Sequence, residues 1–218
     1  TDFKAIKGFN VKSLAADPLT GGGAPAGTWA AGGNLNTGRQ EMTGSGASQD
    51  SALAFGGDNG PGVVALTEAY NGTGWTEVAD LNTARSLLGG TGLQGASLGI
   101  GGGTVNTELW NGSGWTEVNN LNTSKSNNSC AGITTAAISV GGGPDQQTQV
   151  ELWDGTSWTE TTEVNSAKNA SASSGTSTAT ISAGGSPAGA VALTEIWNGS
   201  AWTEVADLNT ARFQLNGF

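Results

Sequence analysis

The sequence predicts an all-β chain built as a propeller of four-stranded antiparallel blades. Three observations predict it: a recurring Trp, a basic residue at a fixed distance after it, and glycines at fixed distances after the base. Trp29, Trp75, Trp115, Trp158 and Trp202 recur at steps of 46, 40, 43 and 44 residues. Ten residues after each stands a base: Arg39, Arg85, Lys125, Lys168 and Arg212. Seven residues further lies Gly46, Gly92, Gly132 or Gly175, and seventeen after the base lies Gly56, Gly102, Gly142 or Gly185. An aromatic residue, Tyr70, Trp110, Trp153 or Trp197, stands five before the next Trp, so all 8 Trp residues occupy two registers. A period of 40–46 residues holding four short strands is the signature of a propeller blade.

Each unit reads as four strands in order. Strand a follows the base, as in Ser86–Gly92. Strand b precedes the double glycine, as in Ser51–Phe55 and Ala136–Val140. Its alternate positions Leu53/Phe55, Leu98/Ile100 and Ile138/Val140 are apolar, and most residues between them are Ala, Ser or Gly. A period of two with one small face suits a strand packed closely between neighbouring blades. Strand c is Thr67–Tyr70, Thr107–Trp110, Val150–Trp153 or Thr194–Trp197, and strand d starts at the following Trp. Asn-Gly or Asp-Gly lies between c and d, a dipeptide that supplies the positive φ angles of a tight hairpin. The same chemistry accounts for the Asn-x-Ser/Thr triplets at Asn71, Asn111 and Asn198.

Alternation puts a Glu beside the aromatic on one face of strand c: Glu68, Glu108, Glu151 and Glu195. One base and one such Glu recur per blade and are expected to pair. Solvated rim charges are the alternative, and exposed pairs contribute little.

The ends depart from a tidy repeat. Trp29 sits in a lone strand d, Thr28–Asn34, and the chain stops at Phe218 inside a strand a, one residue before the glycine expected at 219. Four complete units are thus flanked by two part-units. Pairing Thr28–Asn34 with Thr210–Phe218 in one blade would close a five-bladed ring, to which residues 3–14 could add a strand. A four-bladed ring with appended arms is the alternative. Residues 1–27 are read as an N-terminal arm and residues 28–218 as the propeller. The start at Thr1 implies removal of an initiator Met or a fragment.

Composition narrows function. A formal charge of −10 repels nucleic acid and anionic membranes. No apolar run approaches the roughly 20 residues of a membrane helix, and residues 1–20 lack the apolar core of a secretory signal. The single Cys130 forms no internal disulfide and is expected as a small core residue. There is no His, so serine–histidine catalysis and His-based metal sites are out. The run Gly99–Gly103 ends a strand b and is not followed by Lys-Ser/Thr, so it reads as blade structure rather than a phosphate loop. The four c-strand Glu residues and their d-strand counterparts are copies, whereas a glycosidase needs an asymmetric pair.

Every change in repeat length falls between the double glycine and the aromatic, where the step is 14, 8, 11 and 12 residues. All insertions therefore lie in the b–c loops on one rim. Variable loops on a rigid scaffold are the usual place for recognition, and unconstrained drift would look the same. The candidate binding residues there are Asp58, Asn59, Asp145, Gln146 and Gln147.

The order glycine pair, aromatic, Trp, base resembles the kelch repeat over residues 28–218. The wording Trp110–Val118 (WNGSGWTEV), the Leu-Asn-Thr-x-base run and the later Gly-Gly are closer to repeats in structural proteins of marine bacteriophages such as cyanophages. The opening Asp2–Pro18 also looks like the start of such proteins. The resemblance implies a non-enzymatic virion component of the tail, its fibres or the particle surface, located in the extracellular particle. Its implied partners are other virion structural proteins and a host-surface glycan or protein, with no nucleic acid, no membrane insertion and no cofactor. A homo-oligomer is compatible with it. Kelch-type propellers also include copper oxidases like galactose oxidase, but those need His, Tyr and Cys near the axis. Here the one Tyr lies in the repeat register and the one Cys in a strand a. An adhesin module not tied to a virion is the alternative function, and a polysaccharide hydrolase a remote one.

Overall fold

A computed structural model describes residues 31–144, 148–186, 188–215 and 217. The chain divides into two compact units, Thr1–Gly32 and Gly33–Phe218, and the second carries the described fold. Trp29 and the strand expected over residues 3–14 lie outside the described residues. The described part of the lone strand d, residues 31–34, is not in a strand.

Sixteen strands, and among the described residues no helix, form four sheets of four antiparallel strands in chain order. The first blade is β1 (Thr43–Ser48), β2 (Ser51–Phe55), β3 (Thr67–Tyr70) and β4 (Trp75–Glu77). The second is β5 (Leu88–Leu93), β6 (Ala96–Gly101), β7 (Thr107–Trp110) and β8 (Trp115–Glu117). The third is β9 (Ser129–Ile133), β10 (Ala136–Val140), β11 (Val150–Trp153) and β12 (Trp158–Thr161). The fourth is β13 (Ala172–Thr176), β14 (Ala179–Ala183), β15 (Thr194–Trp197) and β16 (Trp202–Glu204). The architecture is a propeller-like array of four blades. The expected fifth blade is not present among the described residues: 211–215 and 217 form no fifth sheet and contribute one isolated bridge, Val191 with Arg212.

Strands b and c match their sequence boundaries. Strand a starts later than the sequence suggested, at Leu88 rather than Ser86. The cause is a left-handed residue two after every base: Glu41, Leu87, Asn127, Ala170 and Gln214 have φ between 50 and 56°. Such a conformation is uncommon outside glycine and interrupts an extended strand. Here it turns the chain so that each innermost segment bonds its predecessor. Leu87 N–H donates to Glu41 O at 2.9 Å, Asn127 N–H to Leu87 O at 2.7 Å, and Ala170 N–H to Asn127 O at 2.8 Å.

The c–d hairpin also differs from the expected tight turn. Only the glycine takes positive φ, as Gly72 does at 90°. Asn71 instead turns its side chain inward, and its Oδ1 accepts from Thr73 N–H and Gly74 N–H at 3.0 Å each. Asn111, Asp154 and Asn198 repeat this Asx turn. At the a–b hairpin the invariant glycine is a matter of space: a Cβ on Gly132 would sit 2.3 Å from Ala136 O.

The blades meet through a repeated apolar seam. Leu53, Phe55 and Leu81 pack with Trp110 and Trp115 of the next blade. Leu98, Ile100 and Leu121 pack with Trp153 and Trp158, and Ile138, Val140 and Val164 with Trp197 and Trp202. The small face of strand b is what lets the rings in: a Cβ on Gly99 would lie 3.3 Å from the Phe55 ring and 3.5 Å from that of Trp115. Six of the Trp residues are thus buried, whereas Tyr70 and Trp75 of the first blade are only partly so.

Candidate functional site

The repeated charges form buried clamps. Arg39 pairs with Glu68 at 3.4 Å, Arg85 with Glu108 at 2.9 Å, Lys125 with Glu151 at 3.9 Å and Lys168 with Glu195 at 3.1 Å. All eight side chains are 2 % exposed or less, so the solvated-rim alternative falls. Each base precedes strand a and each Glu stands on strand c of the same blade. Burial lowers the affinity of Arg39, Arg85 and Lys125 for their protons, and the facing Glu opposes that shift.

A third member was missed in the sequence: the Asn three residues before each base. Asn82 N–H and Nδ2 donate to Glu108 Oε2 at 2.7 and 2.8 Å, and Nδ2 also reaches Trp115 O at 3.1 Å. Asn122 and Asn165 do the same with Glu151 and Glu195, whereas Asn36 bonds Glu68 Oε2 through its backbone N–H alone and sends Nδ2 to Trp75 O. Its signal was present, because Leu-Asn-Thr or Val-Asn-Ser keeps its spacing to the base. The bases also hold the b–c loops: Arg85 Nη1 donates to Gly101 O at 2.7 Å and Asn106 O at 2.9 Å, and Lys125 Nζ to Gln149 O at 2.9 Å. These ionic groups therefore fix where the variable loops begin, and all of them are buried away from solvent.

Of the rim candidates, Asp58 is engaged. Its backbone bridges Gln40 and Val63, and its Oδ1 accepts from Gly60 N–H at 2.7 Å. It shapes the loop rather than standing free at its tip. Asn59 beside it is exposed. Asp145, Gln146 and Gln147 lie outside the described residues.

Within the second unit, the innermost strands β1, β5, β9 and β13 line a cavity of about 1080 Å³, which Gln214, Leu215 and Gly217 also border. The strand registers place the b–c loops at the end of this cavity where the a strands begin. Several of its hydroxyls bond across seams between blades. Thr91 Oγ1 donates to Gly132 O at 2.7 Å, Ser129 Oγ bonds Ser173 Oγ at 2.7 Å, and Ser45 Oγ bonds Ser97 Oγ. Cys130 lines the cavity and is partly buried, not the fully buried core residue expected. Its sulfur accepts from Asn128 Nδ2 at 3.3 Å, and burial pushes the thiol up to about 12, so it stays protonated and unreactive near neutrality. No described group of three or more His, Cys, Asp or Glu could hold a metal ion. No helix among the described residues is long and apolar enough to cross a membrane. Among its described lining residues, the cavity offers shape and small polar walls.

No family model matches the chain, and no curated protein matches it.

Proposed function

We propose that the protein is a non-enzymatic structural component of a bacteriophage particle, a kelch-like propeller module at the tail, its fibres or the particle surface. The observation that carries this reading is the contrast between its constant and variable parts. Four copies of one buried Asn–base–Glu clamp hold four near-identical blades, and only the b–c loops rooted on those clamps differ in length. That is the construction of a scaffold that presents one rim. The resemblance of the repeat wording to marine phage proteins supports the virion as its setting.

In this reading the b–c rim around Asn59 meets a host-surface glycan or protein. Antibody against the second unit, imaged on intact phage particles, tests the setting: labelling of tail, fibre or shell is expected, and particles that lack the protein overturn it. A glycan array probed with the second unit tests the rim. Binding lost on exchanging the loop 56–66 for the shorter 102–106 is expected. An adhesin without a virion would bind the array and leave particles unlabelled.

A further inference from the structure

The fourth blade ends in a socket that the other blades show how to fill. Its linker repeats the backbone bonds of the three preceding linkers up to the left-handed turn, after which the bond to the preceding blade falls one residue later, on Leu215 rather than Gln214. Leu208 N–H donates to Ala192 O at 3.0 Å, as Leu81 N–H does to Ala65 O at 3.0 Å. Gly185 N–H donates to Arg212 O at 2.9 Å, as Gly57 N–H does to Arg85 O at 2.8 Å. Gln214 takes the same left-handed turn as Leu87, and Leu215 N–H reaches Ala170 O at 3.4 Å. The linker is therefore preset for a clamp. Yet Arg212 is exposed and has no carboxylate partner among the described residues, whereas its counterparts Arg85, Lys125 and Lys168 are buried against Glu.

The apolar half of the socket is open as well. Ile181 is 44 % exposed and Ile196 41 %, while Leu53, Leu98 and Ile138, which hold the place of Ile181 in the other blades, are at most 1 % exposed. Those three are covered by the c-strand indole and d-strand Trp of the following blade. What covers the equivalent face must bring an indole for Ile181 and Leu208 and a carboxylate for Asn209 and Arg212. The four c-strand Glu residues of this chain are already clamped, so a second copy has none to lend. Residues 1–27 contain no Glu, Trp or Tyr, and Gly22 stands seven before Trp29, where every complete repeat has its Glu.

We infer that this face is a docking site for an extended acidic strand of the type Thr-Glu-x-Trp, contributed by a polypeptide segment outside residues 1–218. The strand adds to the sheet array in the position of a strand c. Its Glu accepts from Asn209 and pairs with Arg212, and its indole lies on Ile181, so alternate side chains carry the recognition, as they do between the blades of this chain. The inference does not depend on the phage setting.

The test uses the full chain and a synthetic peptide with the sequence of residues 104–111, followed by fluorescence anisotropy. Saturable binding is expected, weakened about tenfold or more when the peptide carries Glu108→Gln or the protein Arg212→Gln, as loss of a charge-assisted bond requires. In a second arm, a copy of residues 92–111 is appended after Phe218, where it continues the repeat in register. The melting temperature is expected to rise by several degrees, and the same two Gln substitutions are expected to remove the gain. The inference is overturned if neither arm responds, or if either response survives both substitutions.

Discussion

The second blade and the fourth carry nearly the same residues in the same registers, yet one is closed on both faces and the other on one. Leu98 of the second blade is fully buried under Trp153 and Trp158, while its counterpart Ile181 is 44 % exposed. Lys125, which follows the second blade, is buried against Glu151, while Arg212, which follows the fourth, is exposed. A shared place in the repeat therefore does not set burial; the neighbouring blade does. Repeat proteins behave this way because each unit hides its apolar face only against the next. The comparison makes unequal predictions for substitutions that look equivalent.

The largest difference concerns the clamp. Glu108→Ala leaves Arg85 buried without its partner, and removing one member of a buried pair costs about 3–5 kcal/mol. Arg212→Ala removes an exposed side chain and is expected within about 0.5 kcal/mol of the parent. Urea melts of the two variants measure both. Equal losses would mean that Arg212 is already clamped in solution and that the two ends of the array are not alike.

Next come the Trp residues. Trp115 is 7 % exposed, its ring 4.8 Å from that of Phe55, and its Nε1 donates to Thr67 Oγ1 at 3.0 Å. Trp115→Ala is expected to cost about 3–5 kcal/mol. Trp75 holds the same register in the first blade but is only partly buried, with its Nε1 on Gly33 O. Trp75→Ala should cost less than half as much in the same melts. A cost equal to that of Trp115 would show that the first blade is covered as fully as the others.

A pH profile sharpens the contrast from the cavity end of a seam between two blades. Cys130 lies where the second and third blades meet, close enough that a Cβ on Gly89 would sit 2.4 Å from its sulfur. Its thiol is raised from an ordinary 9.0 to about 12. Below 9 both states are protonated and the stabilisation is whole. Between 9 and about 12 the unfolded chain releases its proton first, so stability falls with rising pH. The slope approaches about 1.4 kcal/mol per pH unit. Cys130→Ala should flatten that part of the curve relative to the parent. An unchanged slope would mean that the seam admits water.

Much of this was legible before any coordinates. Strands b and c could be bounded to the residue because alternation and the fixed Trp spacing constrain both faces at once. Pairing of base with Glu followed from their equal recurrence. Strand a was misjudged by two residues because Leu87 and its counterparts are ordinary residues in a left-handed turn, and no residue type announces that. The Asn of the clamp was overlooked although its spacing is constant, because Asn is so common in turns that its recurrence looked like loop chemistry. Asp58 was a candidate binding residue of a b–c loop, but its carboxylate closes its own turn on Gly60. The cavity could not be read at all, since it arises only where strands about 40 residues apart come side by side.

The smallest predicted effect is the cleanest reading of the comparison, because it changes one methyl group. Ile138 is fully buried in the seam with Trp197 and Trp202, and Ile181 is its counterpart one blade on. Removing a buried methyl typically costs about 0.5–1.5 kcal/mol, from lost transfer energy and the small cavity left behind. Ile138→Val is expected in that range. At Ile181 the same methyl already touches water, so little transfer energy is lost and no closed cavity forms. Ile181→Val should therefore lie within the error of the melt. Both residues are β-branched before and after substitution, so strand propensity cancels and burial alone is compared. A cost at Ile181 matching that at Ile138 would mean that the outer face of the fourth blade is covered in solution. Repeating the pair with the chain extended by residues 92–111 separates the causes. If the appended strand is what closes the face, Ile181→Val becomes costly only in the extended protein, while Ile138→Val keeps its value in both.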